Sequence, residues 1–560
     1  MNKLLVIFLV TLTLGCSNRH FDLLIQDANI VDGTGNPRYE ADIGVSRGKI
    51  VLIRPEINGN ADKVIKANGM IVSPGFIDML SWACGPIVYD GTVPSVVQQG
   101  ITTAVFGEGW SMGPVNANVK KEMSGWWEEY KIPYDWHSLY EYEKMIEKQG
   151  TSVNIASYVG ATTVRLYVIG YEDRKATPEE LEQMKQLVRD EMKKGAVGVA
   201  SSLVYTPAFY ANTEELIELA KVAAEYDGVY ASHIRGEGTD LVRAMKEFIE
   251  ICKKAHIRGE VYHLKASGKE NWAKLDSAIQ IIENARSRGL KITADIYPYT
   301  AGATGLKAMI PPWVKDGGPD AMVERLKNPV TRKRIKNEIL NSYTGWENFY
   351  WMAGDGSNIL VSYLSDKNKA YQGKTIAEIS KLEKKDELDT IFDLLIDEAG
   401  GGGGIYFYMS EDNVRKKMRL PWVSFCTDED AYQPVGLMSQ RNPHPRSYGT
   451  FPKILGQYVR DENIISLEEA IRKTCGLPAE VLGFNDRGTI KVGKAADLVI
   501  FNPDSVKDMA TYTQPHQFPK GLRDVIVNGG IVVRNYNHTG LKPGKALLKP
   551  VAEGETIEKN

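Results

Sequence analysis

Between residues 150 and 300 the chain repeats one unit: a short apolar run, an amphipathic helix, then another apolar run, in steps of about 30 residues. Parallel strands need a crossover of a dozen or more residues, and a helix supplies it, so this rhythm predicts β/α units. Thr177-Pro178-Glu179-Glu180 is a capping box with proline at the first helical position. Leu181, Met184, Leu187, Val188 and Met192 follow at helical spacing until Gly195 stops the segment. Strand-like runs fall at 197–203, 229–233, 260–265 and 291–297, and four more at 70–78, 101–108, 153–159 and 422–428. Eight such strands match a closed (β/α)8 TIM-like barrel. An open doubly wound sheet is disfavoured, because no glycine-rich phosphate loop follows the early strands.

Both ends differ from the middle. Leu23-Leu24-Ile25, Ile30-Val31 and Ile50 to Ile53 are short runs split by turn residues, and Ile490, Val492, Asp497 to Phe501 and Asp524 to Val533 repeat that style. The expected organisation is a small β-sandwich built from 22–70 and 486–550, around a barrel at 71–485 that carries an insertion at about 301–420 before its last strand. The glycine run Gly400 to Gly404 reads as a flexible connector, with a lid hinge as the alternative.

With 68 basic and 71 acidic residues, the formal net charge is -3, so no global field draws in nucleic acid or an anionic membrane. A small molecule is the expected partner. Lys3, the apolar run Leu4 to Leu14 and then Gly15-Cys16 resemble a bacterial lipoprotein signal, although Thr13 stands where leucine is usual. Residues 1–16 are too short to span a bilayer. The expectation is an exported protein held to the membrane through a lipid on Cys16, on the periplasmic or extracellular side, and touching membrane in no other way. Cys84, Cys252, Cys426 and Cys475 form no CxxC pair and read as buried apolar residues.

Functional side chains of a β/α barrel sit at the carboxyl ends of its strands. His233 and His263 close the fifth and sixth runs one β/α step apart, which lets two imidazoles converge on a metal. Glu108, between Gly107 and Gly109, ends the second run, and two histidines with a glutamate are a zinc set that leaves a fourth position for water. Asp428 ends the last run after a mostly apolar stretch, a costly place for a carboxylate unless it meets a cation, a metal-activated water or hydrogen bonds.

Asp22 to Asp32 with Pro74-Gly75-Phe76-Ile77-Asp78, Ser232-His233-Ile234-Arg235-Gly236-Glu237, His263-Leu264-Lys265, Tyr297-Pro298-Tyr299, His444 to Phe451 and Gly493 to Leu498 follow in order and spacing. Together they resemble the D-aminoacylase family of the amidohydrolase superfamily, across nearly the whole mature chain. The resemblance implies zinc on the two histidines and proton handling by Asp428. It also implies a substrate, bearing an amide and a carboxylate, bound by Lys265, Tyr297, Tyr299, Arg446 and His444. Two departures stand out. Leu80-Ser81-Trp82 replaces the usual His-x-His after the first strand, so that metal position is expected to be empty. Glu108 stands where a cysteine ligand is usual, with Cys84 as the rival third ligand, and no lysine near Ser201 and Ser202 can bridge two metals.

The expected chemistry is hydrolysis of N-acyl-D-amino acids by one zinc on Glu108, His233 and His263, with Asp428 as general acid and base. A dipeptidase acting on D-residues and a non-catalytic ligand-binding lipoprotein are the rivals. Glu108 together with Asp428 favours an enzyme, since a binding module needs no water-activating carboxylate.

Overall fold

The structure is a computed structural model that describes residues 20–549 except 131, 133 and 134. Cys16 and the leader expected at 1–16 lie outside the described residues. Eight parallel strands form the centre: β1 Phe76–Asp78, β2 Ile101–Phe106, β3 Asn154–Ser157 continued by Val159–Gly160, β4 Gly198–Ser202, β5 Val229–His233, β6 Arg258–Val261, β7 Ile292–Ile296 and β8 Val423–Phe425. Each pairs with the next in register, from Phe76 opposite Ile101 to Ala294 opposite Val423. The seam between β8 and β1 is closed differently. Met79 donates its N–H to the Phe425 carbonyl, and the Asp78 carboxylate accepts the backbone N–H of Thr427 at 2.7 Å.

Strands covered on both faces read as unbroken apolar runs, and every residue of β2 is buried accordingly. Helices pack outside. Pro178–Lys193 begins at the expected capping box, with the Thr177 side chain accepting from the Glu180 N–H and the Glu180 carboxylate accepting from the Thr177 N–H. Leu241–Ala255 turns Leu241, Met245, Phe248 and Cys252 inward, and all four described cysteines are free and buried.

The run at 70–78 is split rather than continuous. Ile71–Pro74 pairs with Leu498–Phe501 and with His20–Ile30 in a nine-stranded sheet made by both chain ends, and only Phe76–Asp78 enters the barrel. Gly75 is the pivot. Its N–H is donated to the Asp497 carbonyl, and a Cβ there would overlap the Thr102 side chain.

The excursion between β7 and β8 contains a three-stranded antiparallel sheet, in which Gly403–Phe407 lies between Ala301–Gly305 and Ile359–Tyr363, chain order 1-3-2. The glycine run is therefore not simply a connector. Gly403 and Gly404 lie in the middle strand of that sheet, where Gly404 has Tyr406 and Leu306 side chains closely over its Cα. Helices such as Pro329–Asn341, Ile376–Glu383 and Glu387–Asp397 surround it and share an apolar core with the barrel interior.

Candidate metal centre

A cavity of about 430 Å³ opens at the carboxyl ends of the strands. Glu108, His233, His263, Lys265, Tyr297, Asp428 and Arg446 all line it, and Trp110, Met123 and Phe349 give part of its wall an apolar surface.

Glu108 lies two residues past β2, between glycines with φ of 109° and 70°. Both glycines are sterically required, since a Cβ on Gly107 would meet the Tyr158 carbonyl at 2.6 Å and one on Gly109 would meet Ser202 at 2.7 Å. The loop thus folds tightly onto β3 and β4 and turns its carboxylate inward. His233 is the last residue of β5. His263 lies two residues beyond the end of β6, with a left-handed φ of 34° and its N–H donated to the Asp295 carboxylate at 2.7 Å. Asp428, three residues past β8, has φ 50° and donates its N–H to the Leu80 carbonyl at 2.8 Å. Non-glycine residues held in this region cost on the order of 1–3 kcal/mol each, so the surrounding contacts must over-determine them.

The centre is compact. Glu108 Oε1 accepts from His233 Nδ1 at 2.8 Å and from His263 Nε2 at 2.9 Å, and the imidazole centroids are 4.4 Å apart. Among the described residues these three form the one group of histidine, cysteine or acidic side chains whose ligand atoms gather closely enough for a metal, all within 4.8 Å of one another. Burial works to raise the Glu108 pKa, but the two imidazoles outweigh it and hold the carboxyl well below its usual range. For Asp428 burial wins over the nearby Arg446 and His263 charges, and its pKa is raised.

Glu237 escaped the reading of the sequence. It lies opposite the centre, 3.5 Å from His233 Nε2 and 3.1 Å from His263 Nδ1, so one carboxylate faces the far nitrogen of both rings. Carboxylates in that position fix ring orientation around a metal. The signal available was its place four residues after His233 within a quoted motif. Lys265 Nζ donates to Glu237 Oε1 and to His263 Nδ1, each at 2.7 Å. Trp82 also went unassigned, and its indole N–H donates to Glu108 Oε2 at 3.0 Å. Arg446 lies 4.5 Å above the Tyr297 ring and is paired with Asp428 Oδ2 at 2.8 Å and Glu429 Oε2 at 3.3 Å.

Two expected substrate contacts are corrected. His444 and Tyr299 do not line the cavity. His444 uses both ring nitrogens on backbone, Nε2 with the Ala301 carbonyl and Nδ1 accepting the Arg446 N–H, each at 3.0 Å, and Tyr299 packs edge-on against it. They support the loop carrying Arg446. Cys84, the rival ligand, is outside the metal group; its thiol points toward the Trp82 carbonyl at 3.7 Å, and burial pushes its pKa up.

The donor chemistry fits zinc. Two imidazoles and a carboxylate, all buried, with an acid behind both rings, are a suitable set for it. Comparison with known proteins bears on the family. The amidohydrolase family model matches residues 367–533. An N-acyl-D-glutamate deacylase of Alcaligenes xylosoxydans xylosoxydans is 30% identical over 513 residues, 91% of this chain and 93% of that protein. The chain belongs to the D-aminoacylase family. Among solved D-aminoacylase family structures, the N-acyl-D-glutamate deacylase of Bordetella bronchiseptica, complexed with zinc and a phosphonate mimic of the tetrahedral intermediate, superimposes with a TM-score of 0.79 at 28% identity, covering 95% of this chain and all of that one. A D-aminoacylase described as having a binuclear centre, activated by one metal and attenuated by the second, gives 0.77 at 28% identity over 95% of this chain and all of that one.

Proposed function

We propose that this chain hydrolyses the amide bond of N-acyl-D-amino acids, releasing a carboxylic acid and a D-amino acid. The observation that carries the reading is Glu108 Oε1 set between the ligand nitrogens of His233 and His263, with Asp428 at the same cavity. These three residues would hold one zinc, which when bound supplies Lewis acidity to the amide carbonyl and brings water's pKa toward neutrality.

Asp428 takes the proton of the attacking water and returns it to the departing nitrogen. Its pairing with Arg446 aims one oxygen and leaves the other for this transfer. Lys265, Arg446 and Tyr297 receive the substrate carboxylate, the guanidinium being suited to a two-point grip. Glu237 keeps the rings of His233 and His263 turned toward Glu108. Trp110, Met123 and Phe349 suit an apolar portion of substrate and limit water.

A panel of N-acetylated D- and L-amino acids and dipeptides with a D-residue at the carboxyl end tests this. Hydrolysis selective for N-acyl-D-amino acids is expected. Cleavage of the dipeptides alone would make it a dipeptidase, and absence of all hydrolysis by zinc-loaded protein would contradict an enzyme.

The same proposal places the chain outside the cytoplasm, lipid-anchored at Cys16. Among the described residues no helix is long and apolar enough to cross a membrane. Cys16→Ala is expected to move the exported protein from the membrane to the soluble fraction, and an unchanged distribution would contradict the anchor.

A further inference from the structure

The loop after β1 runs through Leu80 and Ser81 and brings Trp82 to the cavity. Leu80 is fully buried, its carbonyl accepts the Asp428 N–H, and it is not among the residues lining the cavity. Trp82 is held by its backbone N–H on the Glu429 carbonyl at 2.9 Å, and its indole N–H is directed at Glu108 Oε2. Glu108 therefore has one oxygen facing two imidazoles and the other capped by a donor. A carboxylate that bridges two cations with one on each oxygen needs both oxygens free, and the partly positive hydrogen of the indole N–H aimed at Oε2 stands where that second cation would bind.

The remaining acids nearby are also answered by cationic groups. Lys265 holds Glu237 Oε1, and Arg446 holds Asp428 and Glu429. Of these caps, Trp82 is the uncharged one and acts on the ligand itself.

We propose that Trp82 is a plug against a second cation: it ties up Glu108 Oε2, presents Oε1 to a single metal, and spares this chain attenuation by excess zinc. The proposal rests on the zinc reading of Glu108, His233 and His263. It makes Trp82 a positioning residue that acts through Glu108.

Zinc titration of metal-free full chain, followed by calorimetry and by indole fluorescence, tests it alongside hydrolysis in excess zinc. Wild type is expected to take up one equivalent, with a fluorescence change that saturates at that point, and to keep its rate in about hundredfold excess zinc. Trp82→Phe keeps an aromatic ring but loses the donor, and is expected to bind its first equivalent on the order of tenfold more weakly, the cost usual for losing a partner of a metal ligand, and to slow in excess zinc because Oε2 is freed. Trp82→His replaces the capping indole by a side chain able to ligate, and is expected to bind two equivalents and to slow in excess zinc. Two equivalents in wild type, loss of its rate in excess zinc, or unchanged affinity in Trp82→Phe would overturn the plug while leaving the zinc centre standing. No zinc uptake by wild type would overturn both.

Discussion

At the scale of single residues, the site depends on side chains whose alternatives are blocked. Asp428 is paired with Arg446 and lies at the cavity, yet it is outside the group of ligand atoms around Glu108. Proton transfer by a positioned acid is worth on the order of a hundredfold to ten-thousandfold. Asp428→Asn is expected to lower kcat within that range while the purified protein keeps its zinc, as read by elemental analysis. Loss of zinc with activity would instead make Asp428 a ligand. His233, His263, Glu108 and Asp428 were legible because each polar residue interrupts an apolar run at a strand's end. Glu237 was not, since it lies beyond the strand end, and its place four residues after His233 does not by itself tell that it faces two imidazoles. His444 and Tyr299 misled for the opposite reason: their motif reaches the site through Arg446, and sequence spacing does not separate a residue touching the cavity from one bracing its neighbour.

Elements position these residues through buried polar contacts as much as through apolar packing. Helix Ala161–Val168 is tied to Thr213–Glu225 by a buried Arg165–Glu215 pair at 2.7 Å. Lys473 reaches inward under β8, donates to the carbonyls of Met418 and Leu420, and lies 5.3 Å from the Phe425 ring centroid. Burial pushes its pKa down from the ordinary 10.5 to about 7. Between those values the unfolded chain binds a proton that the folded chain does not, so this lysine makes stability rise with pH from about 7 to 10. The difference in melting temperature between wild type and Lys473→Met is therefore expected to grow in favour of wild type across that window. A difference independent of pH would contradict a neutral buried amine. The strand boundary at Pro74 and Gly75 was hidden because residues 71–78 are buried on both sides of it, and an apolar run has no periodicity that marks a change of sheet.

At the scale of the molecule, the barrel was readable because its β/α steps recur with helix caps between them, while its closure was not: Asp78 and Thr427 meet across 349 residues of sequence. The insertion's sheet was equally opaque, since glycines that look like a connector become strand only when Ala301–Gly305 and Ile359–Tyr363 flank them. Its contribution is physical, as Phe349 and Tyr408 wall the cavity over the strand ends. Barrel, insertion and terminal sheet together bring three strand ends to one point, and the account rests on that point holding a cation. Elemental analysis of wild type and Glu108→Ala, purified identically and assayed on an N-acyl-D-amino acid, tests it most directly. One zinc per wild-type chain is predicted, with both metal and hydrolysis lost in the variant. Full zinc and full hydrolysis without Glu108 would contradict it.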